Sequence, residues 1–211
     1  MIDILYHDEY IAVAVKPAGL LSEGQAEKDC FPAMLSKTLE ELRGRHVSVY
    51  TVHRLDRETE GIMVYALSSS AAATLSRDIT EGKWQKIYNA RLCGTPEAEC
   101  GRLCDLLYYD RQKSKSFVVK AKRKGVKEAA LTYKVISNGP QGTVVEIALE
   151  TGRTHQIRVQ FASRGMPLCG DRRYGAPAES GKTPALCACK LSFPHPKTRE
   201  DLNFEILPTN L

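Results

Sequence analysis

Apolar residues in this chain come in short runs, most of them strand-sized. Ile11 to Val15 is an unbroken run closed by Pro17-Ala18-Gly19, the pattern of a buried strand ending in a turn. Val49 to Val52 and Ile62 to Leu67 read as two more buried strands, with a polar peptide between them. Helical spacing appears at Met34, Leu35, Leu39 and Leu42, with Gly44 as the stop. Ser68 to Ser70 can cap a second helix, which carries Ala72, Leu75 and Ile79 and ends at Gly82. Trp84, Lys86, Tyr88, Ala90 and Leu92 share one face of a strand by period two. Val145, Ile147 and Leu149 alternate with Glu146, Ala148 and Glu150 in another strand. Thr151-Gly152 then turns the chain into a helix predicted from Thr154 to Ser163, with Gly165 at its end. The tail reads as a hairpin: Leu186 to Phe193, a Pro194-His195-Pro196 corner, and Leu202 to Leu207.

Strands here adjoin strands more often than they alternate with helices. That argues against a doubly wound parallel sheet and for an α+β fold, a mixed and largely antiparallel sheet with flanking helices. The linker-like stretch Ala176 to Pro184 is rich in Gly, Ser and Pro, but it has the length of a loop, not of a domain boundary. The expectation is one domain over residues 1–211.

Composition narrows the function classes. Hydrophobic content of 43% with 26% charged residues describes an ordinary globular protein. No apolar run approaches the roughly 18 residues that span a bilayer. The start, Met1-Ile2-Asp3-Ile4-Leu5-Tyr6, lacks the basic segment and apolar stretch of a signal peptide, so a cytoplasmic protein with no membrane partner is expected. The net charge of +5 is modest, but its distribution is uneven. From Arg111 to Lys134 the chain carries nine Lys or Arg and one acid, Glu128. Such a stretch is either a solvated face or a surface that contacts phosphates. Phe117, Val118 and Val119 within it point to a strand pair over 116–136. The seven cysteines show no C-x-x-C spacing, and Cys187 and Cys189 fall on one face of a strand, so idle thiols in a reducing compartment are expected and no metal site. No G-x-G-x-x-G or P-loop is present, so no nucleotide cofactor is indicated.

Three segments carry candidate chemistry. His53-Arg54-Leu55-Asp56-Arg57-Glu58-Thr59-Glu60-Gly61 holds a carboxylate between two guanidinium groups, on a peptide between two strands. Loops on rigid sheets are where chemistry concentrates, and a neighbouring arginine keeps a carboxylate ionised as a nucleophile needs. The commonest arrangement of this composition is nonetheless a surface ion pair. Tyr88 lies in Lys86-Ile87-Tyr88-Asn89-Ala90; by itself it fits a core tyrosine with a satisfied hydroxyl. Thr151-Gly152-Arg153-Thr154-His155-Gln156-Ile157-Arg158-Val159 offers two arginines a helical turn apart, fit to hold anions or to sit on a helix surface. A fourth segment, Gly165 to Gly175, surrounds Asp171-Arg172-Arg173 with glycines and reads as a tight structural loop.

Together these segments resemble the RluA family of RNA pseudouridine synthases, over almost the whole chain and in the family's order. The His-Arg-Leu-Asp loop, the T-G-R-x-H-Q-[IL]-R segment and the G-x-P-[IL]-x-G-D-x-x-Y-G element are its most specific matches. The likeness is to the short members that consist of the catalytic domain without an S4 module. It implies a pseudouridine synthase fold with a central RNA-binding cleft, acting on structured RNA, tRNA or rRNA, without cofactor or metal; nothing in the sequence demands more than a monomer. It further implies that Asp56 is the nucleophile, that Arg158 pairs with it, and that Tyr88 stacks on the flipped uracil and is the candidate base in a later proton transfer. Arg54 would fill the space the base leaves, with His53, Arg57, Arg153 and His155 beside the RNA and Lys122, Arg123 and Lys124 on its phosphates. Three residues depart from the pattern: Glu60 stands where Ser is usual, and Gln160 and Cys187 stand where His is usual. Two other readings compete. One is a non-catalytic RNA-binding paralogue that aids RNA folding. The other is an unrelated hydrolase, for which no second catalytic carboxylate or Ser/Cys–His pairing is found.

Overall fold

The computed structural model describes residues 2–24, 30–209 and 211, and their contacts group into two compact units. The first comprises Met1–Lys86 and Ala188–Leu207; the second comprises Ile87–Cys187 and Pro208–Leu211. The boundary falls inside two strands, β5 (Gln85–Leu92) and β10 (Leu186–Pro194).

In the first unit, β2 (Ile11–Lys16) pairs antiparallel with β1 (Asp3–His7) on one side and with β4 (Glu60–Ala66) on the other. β10 follows beyond β4 and carries β11 (Asp201–Glu205), also antiparallel. The two-residue β3 (Tyr50–Thr51) pairs with the end of β4, shorter than the strand expected over 49–52. The unbroken apolar runs have a physical reason. Ile11, Ala12, Val13 and Ala14 are all fully buried, because β2 is covered on both faces. On one face Ile11, Val13, Ile62 and Val64 pack with Leu75 of α2 (Ser69–Thr80), Trp84 and Phe193. On the other, Tyr65 meets Phe31 of α1 (Phe31–Arg43), which also buries Leu35 and Leu39. Each fully buried Leu or Phe is worth roughly 1.5–3 kcal/mol. The helix signals hold: the Ser68 side chain accepts from Ala71 N–H at the start of α2, and Gly44 closes α1 in the left-handed conformation.

In the second unit the strands run in the order β5, β9 (Gly142–Leu149), β8 (Val126–Gly139), β6 (Cys100–Asp110) and β7 (Lys115–Val119), all antiparallel. The expected basic strand pair over 116–136 needs correction: β7 and β8 do not pair with each other but flank β6. The sequence reading missed β6: only Leu103 and Leu107 on it are buried, and its one apolar run, Leu106 to Tyr109, is short. Likewise α3 (Gln156–Ala162) begins two residues later than the helix expected from Thr154, because His155 adopts a left-handed φ of 54°. Ala176 to Pro184 is a loop as expected, with only a short 3-10 turn. Among the described residues no helix is long and apolar enough to cross a membrane, and no cluster of metal-ligating side chains occurs.

Gly61 is the most closely packed glycine of the first unit. Its φ is 137°, and a Cβ there would lie 2.5 Å from the Ala188 carbonyl oxygen on β10. Gly61→Ala combines backbone strain with overpacking and is expected to cost on the order of 3 kcal/mol, read as a lowered midpoint in urea unfolding. An unchanged midpoint would show that β4 and β10 can part here without cost.

Candidate active site

The loop carrying Asp56 runs from the end of β3 to the start of β4, as the two flanking apolar runs predicted. It has no regular structure, yet it is fixed from beneath. The Lys16 side chain is fully buried at the end of β2, and its Nζ donates to the carbonyls of Pro17 at 2.8 Å, Leu20 at 3.0 Å and Arg57 at 3.2 Å. An ammonium has three donors, and all three are used. Ser22 adds a second clamp: its Oγ donates to Leu55 O and accepts from Leu55 N–H. The Leu55 side chain is buried and Thr59 N–H closes a turn onto Asp56 O, so the half-buried Asp56 sits between two anchored neighbours. Sequence reasoning missed Lys16 and Ser22. The signal was present in Lys16-Pro17, a charged residue directly after an apolar strand and before its turn.

The remaining first-unit candidates divide. Arg54 is exposed and its guanidinium pairs with Glu23 at 3.1 Å. Arg57 Nε donates to Gly19 O, binding the loop to the turn after β2. His53 is held by the fold: Nε2 accepts from Val64 N–H at 2.9 Å, and the ring lies edge-on to Trp84. Burial, with a smaller contribution from the charge of Lys86, holds its pKa well below the ordinary histidine value, so it is a neutral acceptor. That nitrogen is therefore committed to β4, which accounts for His53 without an RNA contact.

In the second unit Tyr88 lies on β5 opposite Ile147 of β9 and is mostly buried. Arg158 on α3 is also buried. Its Nε and Nη2 donate to Asp171 Oδ2 and Oδ1 at 2.7 and 2.9 Å, a bidentate pair in which both side chains are almost fully enclosed. The guanidinium also lies over the Tyr174 ring, 5.3 Å from its centroid. Tyr174 Oη in turn bonds His155 Nδ1 at 2.9 Å and accepts from Ser116 N–H at 2.8 Å. The loop of 165–175 thus supplies Asp171 and Tyr174 to the Arg158 environment, roles that its glycine-rich spacing did not disclose. Gln156 fixes the preceding turn: Oε1 accepts from Thr151 Oγ1 and Arg153 N–H, and Nε2 donates to Ala130 O. Arg153 reaches back to Glu128 O through Nε.

Of the basic residues assigned to phosphates, Lys122 pairs with Glu128 and Arg123 lies over Tyr108. Lys124 lines an open cavity of about 740 Å³ with Arg111, Lys127, Arg153 and Tyr109. Two of the departures, Gln160 and Cys187, lie inside the protein. Gln160 is buried and donates to Asp105, which Arg164 also holds, and Cys187 is fully buried in β10.

Residues 10–163 match the RNA pseudouridylate synthase family, well over half of the chain. The chain belongs to the RluA family of RNA pseudouridine synthases. An uncharacterised RNA pseudouridine synthase of Aquifex aeolicus is 37% identical over 97% of the chain and 69% of its own length. The dual-specificity RNA pseudouridine synthase RluA of Pasteurella multocida is 32% identical over 98% of the chain and 93% of its own length. Among solved structures, human RNA pseudouridylate synthase domain containing 4 superposes with a TM-score of 0.80 at 24% identity, covering 98% of this chain and 88% of that one, which shows the shared α+β fold. This RluA-family chain is accordingly an isomerase that acts on RNA.

Two consequences follow from the buried cations of the enzyme. Asp171→Ala removes both bonds to Arg158 and strands charge in the interior, at a cost of about 3 kcal/mol in urea unfolding, whereas Asp171→Asn should cost less. Equal midpoints for Asp171→Ala and wild type would show the pair to be dispensable. For Lys16, burial pulls the amine down from 10.5 to about 8, against the raising effect of Asp56, Glu58 and Glu60. Between those values the unfolded chain binds the proton and the folded chain does not, so this group makes stability rise with pH from about 8 to 10.5. The full gap corresponds to roughly 3 kcal/mol. The stability of wild type minus that of Lys16→Met should therefore increase from pH 7.5 to pH 10; a flat difference would place the Lys16 pKa at its unfolded value and a falling one above it.

Proposed function

We propose that this enzyme isomerises specific uridines of tRNA, rRNA or both to pseudouridine, with Asp56 as the nucleophile. The observation that carries the reading is the Asp56 loop itself, held by Lys16 and Ser22 through backbone groups so that the carboxylate is presented on a fixed support. Fixed placement of a reacting group is a large part of catalytic advantage. The reaction breaks the glycosidic C–N bond, turns the uracil in place and forms a C–C bond. Atoms and electrons balance within one nucleotide, so no redox partner is required.

A stacked uridine must leave its stack to be reached, at a cost of a few kcal/mol. Tyr88 supplies the ring against the extruded uracil, and Arg54 enters the vacated space, where a planar guanidinium can stack on neighbouring bases. Arg158 would pair with Asp56 and orient it; its bidentate hold on Asp171 supports the reading, because it fixes the guanidinium plane. Arg153, Lys124 and neighbouring cations would contact phosphates, so affinity should fall as salt rises. The relative from P. multocida is named as a dual-specificity enzyme, which supports more than one RNA target for this one.

Asp56→Asn is the test. Unmodified tRNA and rRNA from a strain lacking the enzyme are incubated with wild type and variant, and pseudouridine is quantified after nuclease digestion. The variant should bind RNA with the wild-type salt dependence and form no pseudouridine. Residual formation by a folded Asp56→Asn protein would rule out Asp56 as the nucleophile. RNA binding by wild type without pseudouridine would favour a folding aid.

A further inference from the structure

Two thiols outside the catalytic set face each other in the second unit. Cys93 follows the last residue of β5, and Cys169 lies in the loop after α3. Leu92 and Leu168 form an antiparallel bridge, with Cys93 N–H donating to Pro167 O and Cys169 N–H to Arg91 O, each at 2.8 Å. This short ladder holds the two backbones in register, and the two Sγ atoms lie 3.1 Å apart. Cys169 is buried, while Cys93 is only half-buried. Both line an open cavity of about 740 Å³ together with Arg91, Gln141, Ser180 and Lys182, so a small solute can reach Cys93.

We propose that Cys93 and Cys169 form an oxidisable dithiol, closed to a disulfide by an oxidant of the peroxide class. A disulfide needs the sulfurs at about 2.05 Å, so the approach required is roughly 1 Å. The peroxide O–O bond breaks as Cys93 Sγ becomes a sulfenic acid, and the first water leaves. Cys169 Sγ then gives up its proton and attacks the Cys93 sulfur; the S–O bond breaks and a second water leaves. Two thiols and one hydrogen peroxide thus give one disulfide and two waters. Burial pushes the Cys169 thiol up to about 12, which leaves the more open Cys93 as the sulfur oxidised first. Cys187 and Cys189, by contrast, are two positions apart on one strand, about 7 Å along it.

The dithiol touches the active-site support through the chain. Asp171, which holds Arg158, is two residues beyond Cys169. Gly170 between them has a φ of 77° and passes so close to Thr183 that a Cβ would lie 2.0 Å from its carbonyl oxygen. With Gly170 packed this closely, a movement of Cys169 on closure of the disulfide would be passed to Asp171 and with it to the Arg158 guanidinium. This consequence rests on the catalytic reading of Arg158, whereas the disulfide itself does not.

The test separates the two. Folded wild type, Cys93→Ser and Cys169→Ala are treated with hydrogen peroxide and digested without reductant for mass spectrometry. Wild type should yield a Cys93–Cys169 cross-linked peptide, two hydrogens lighter than its parts and released by dithiothreitol, and neither variant should yield it. Accumulation of Cys93 sulfenic or sulfinic acid without that peptide, or cross-links spread equally to Cys100 and Cys104, would overturn the proposal. Pseudouridine formation by oxidised wild type should fall roughly ten- to hundredfold and recover on reduction, as expected for a displacement of about 1 Å at a catalytic centre. Cross-linking with an unchanged rate would overturn the coupling to Asp171 and leave the dithiol standing.

Discussion

The first unit depends on a single buried ammonium. Lys16 ends the central strand β2, and its charge is taken out of water completely. An isolated charge there would be prohibitively costly, so the chain must bring acceptors to it. It brings three carbonyls, two from the turn after β2 and one from the loop that carries Asp56. The same bonds that make the lysine tolerable therefore pin the peptide next to the carboxylate. Stability and presentation of Asp56 are one constraint, and the loop needs no regular structure to be rigid.

The second unit repeats the device with a guanidinium. Arg158 is buried, and its planar fork is matched by both oxygens of Asp171. Tyr174 covers the face of the guanidinium and passes the constraint on to His155 and to Ser116 of β7. A helix of only seven residues cannot orient an arginine by itself. Here the 165–175 loop does it, by placing the Asp171 carboxylate against the guanidinium.

The fold class was legible because the strands β2, β4 and β10 are buried on both faces and leave apolar runs. The caps of α1 and α2 were legible because Gly44 and Ser68 act locally. β6 was not, because only Leu103 and Leu107 of its residues are buried and they leave no clear alternation. The start of α3 was not, because the left-handed His155 is imposed by its bond to Tyr174, a residue 19 positions away. The candidate residues themselves were found through short local motifs. Their supports, Lys16, Ser22, Gln156, Asp171 and Tyr174, act through backbone carbonyls or across long separations, and neither leaves a periodic trace.

Glu60 shows how such a support changes the meaning of a residue. In sequence it is a misplaced negative charge near an RNA path. In the structure it opens β4, directly before Gly61, and its charge is one of three, with Asp56 and Glu58, that favour the protonated form of Lys16. Desolvation works against that form and is the larger effect. A carboxylate at position 60 thus offsets part of the cost of the buried ammonium on which the loop depends. A serine there would spare the RNA a repulsive charge but would leave Lys16 closer to losing its proton, and with it one of the three bonds that hold the loop.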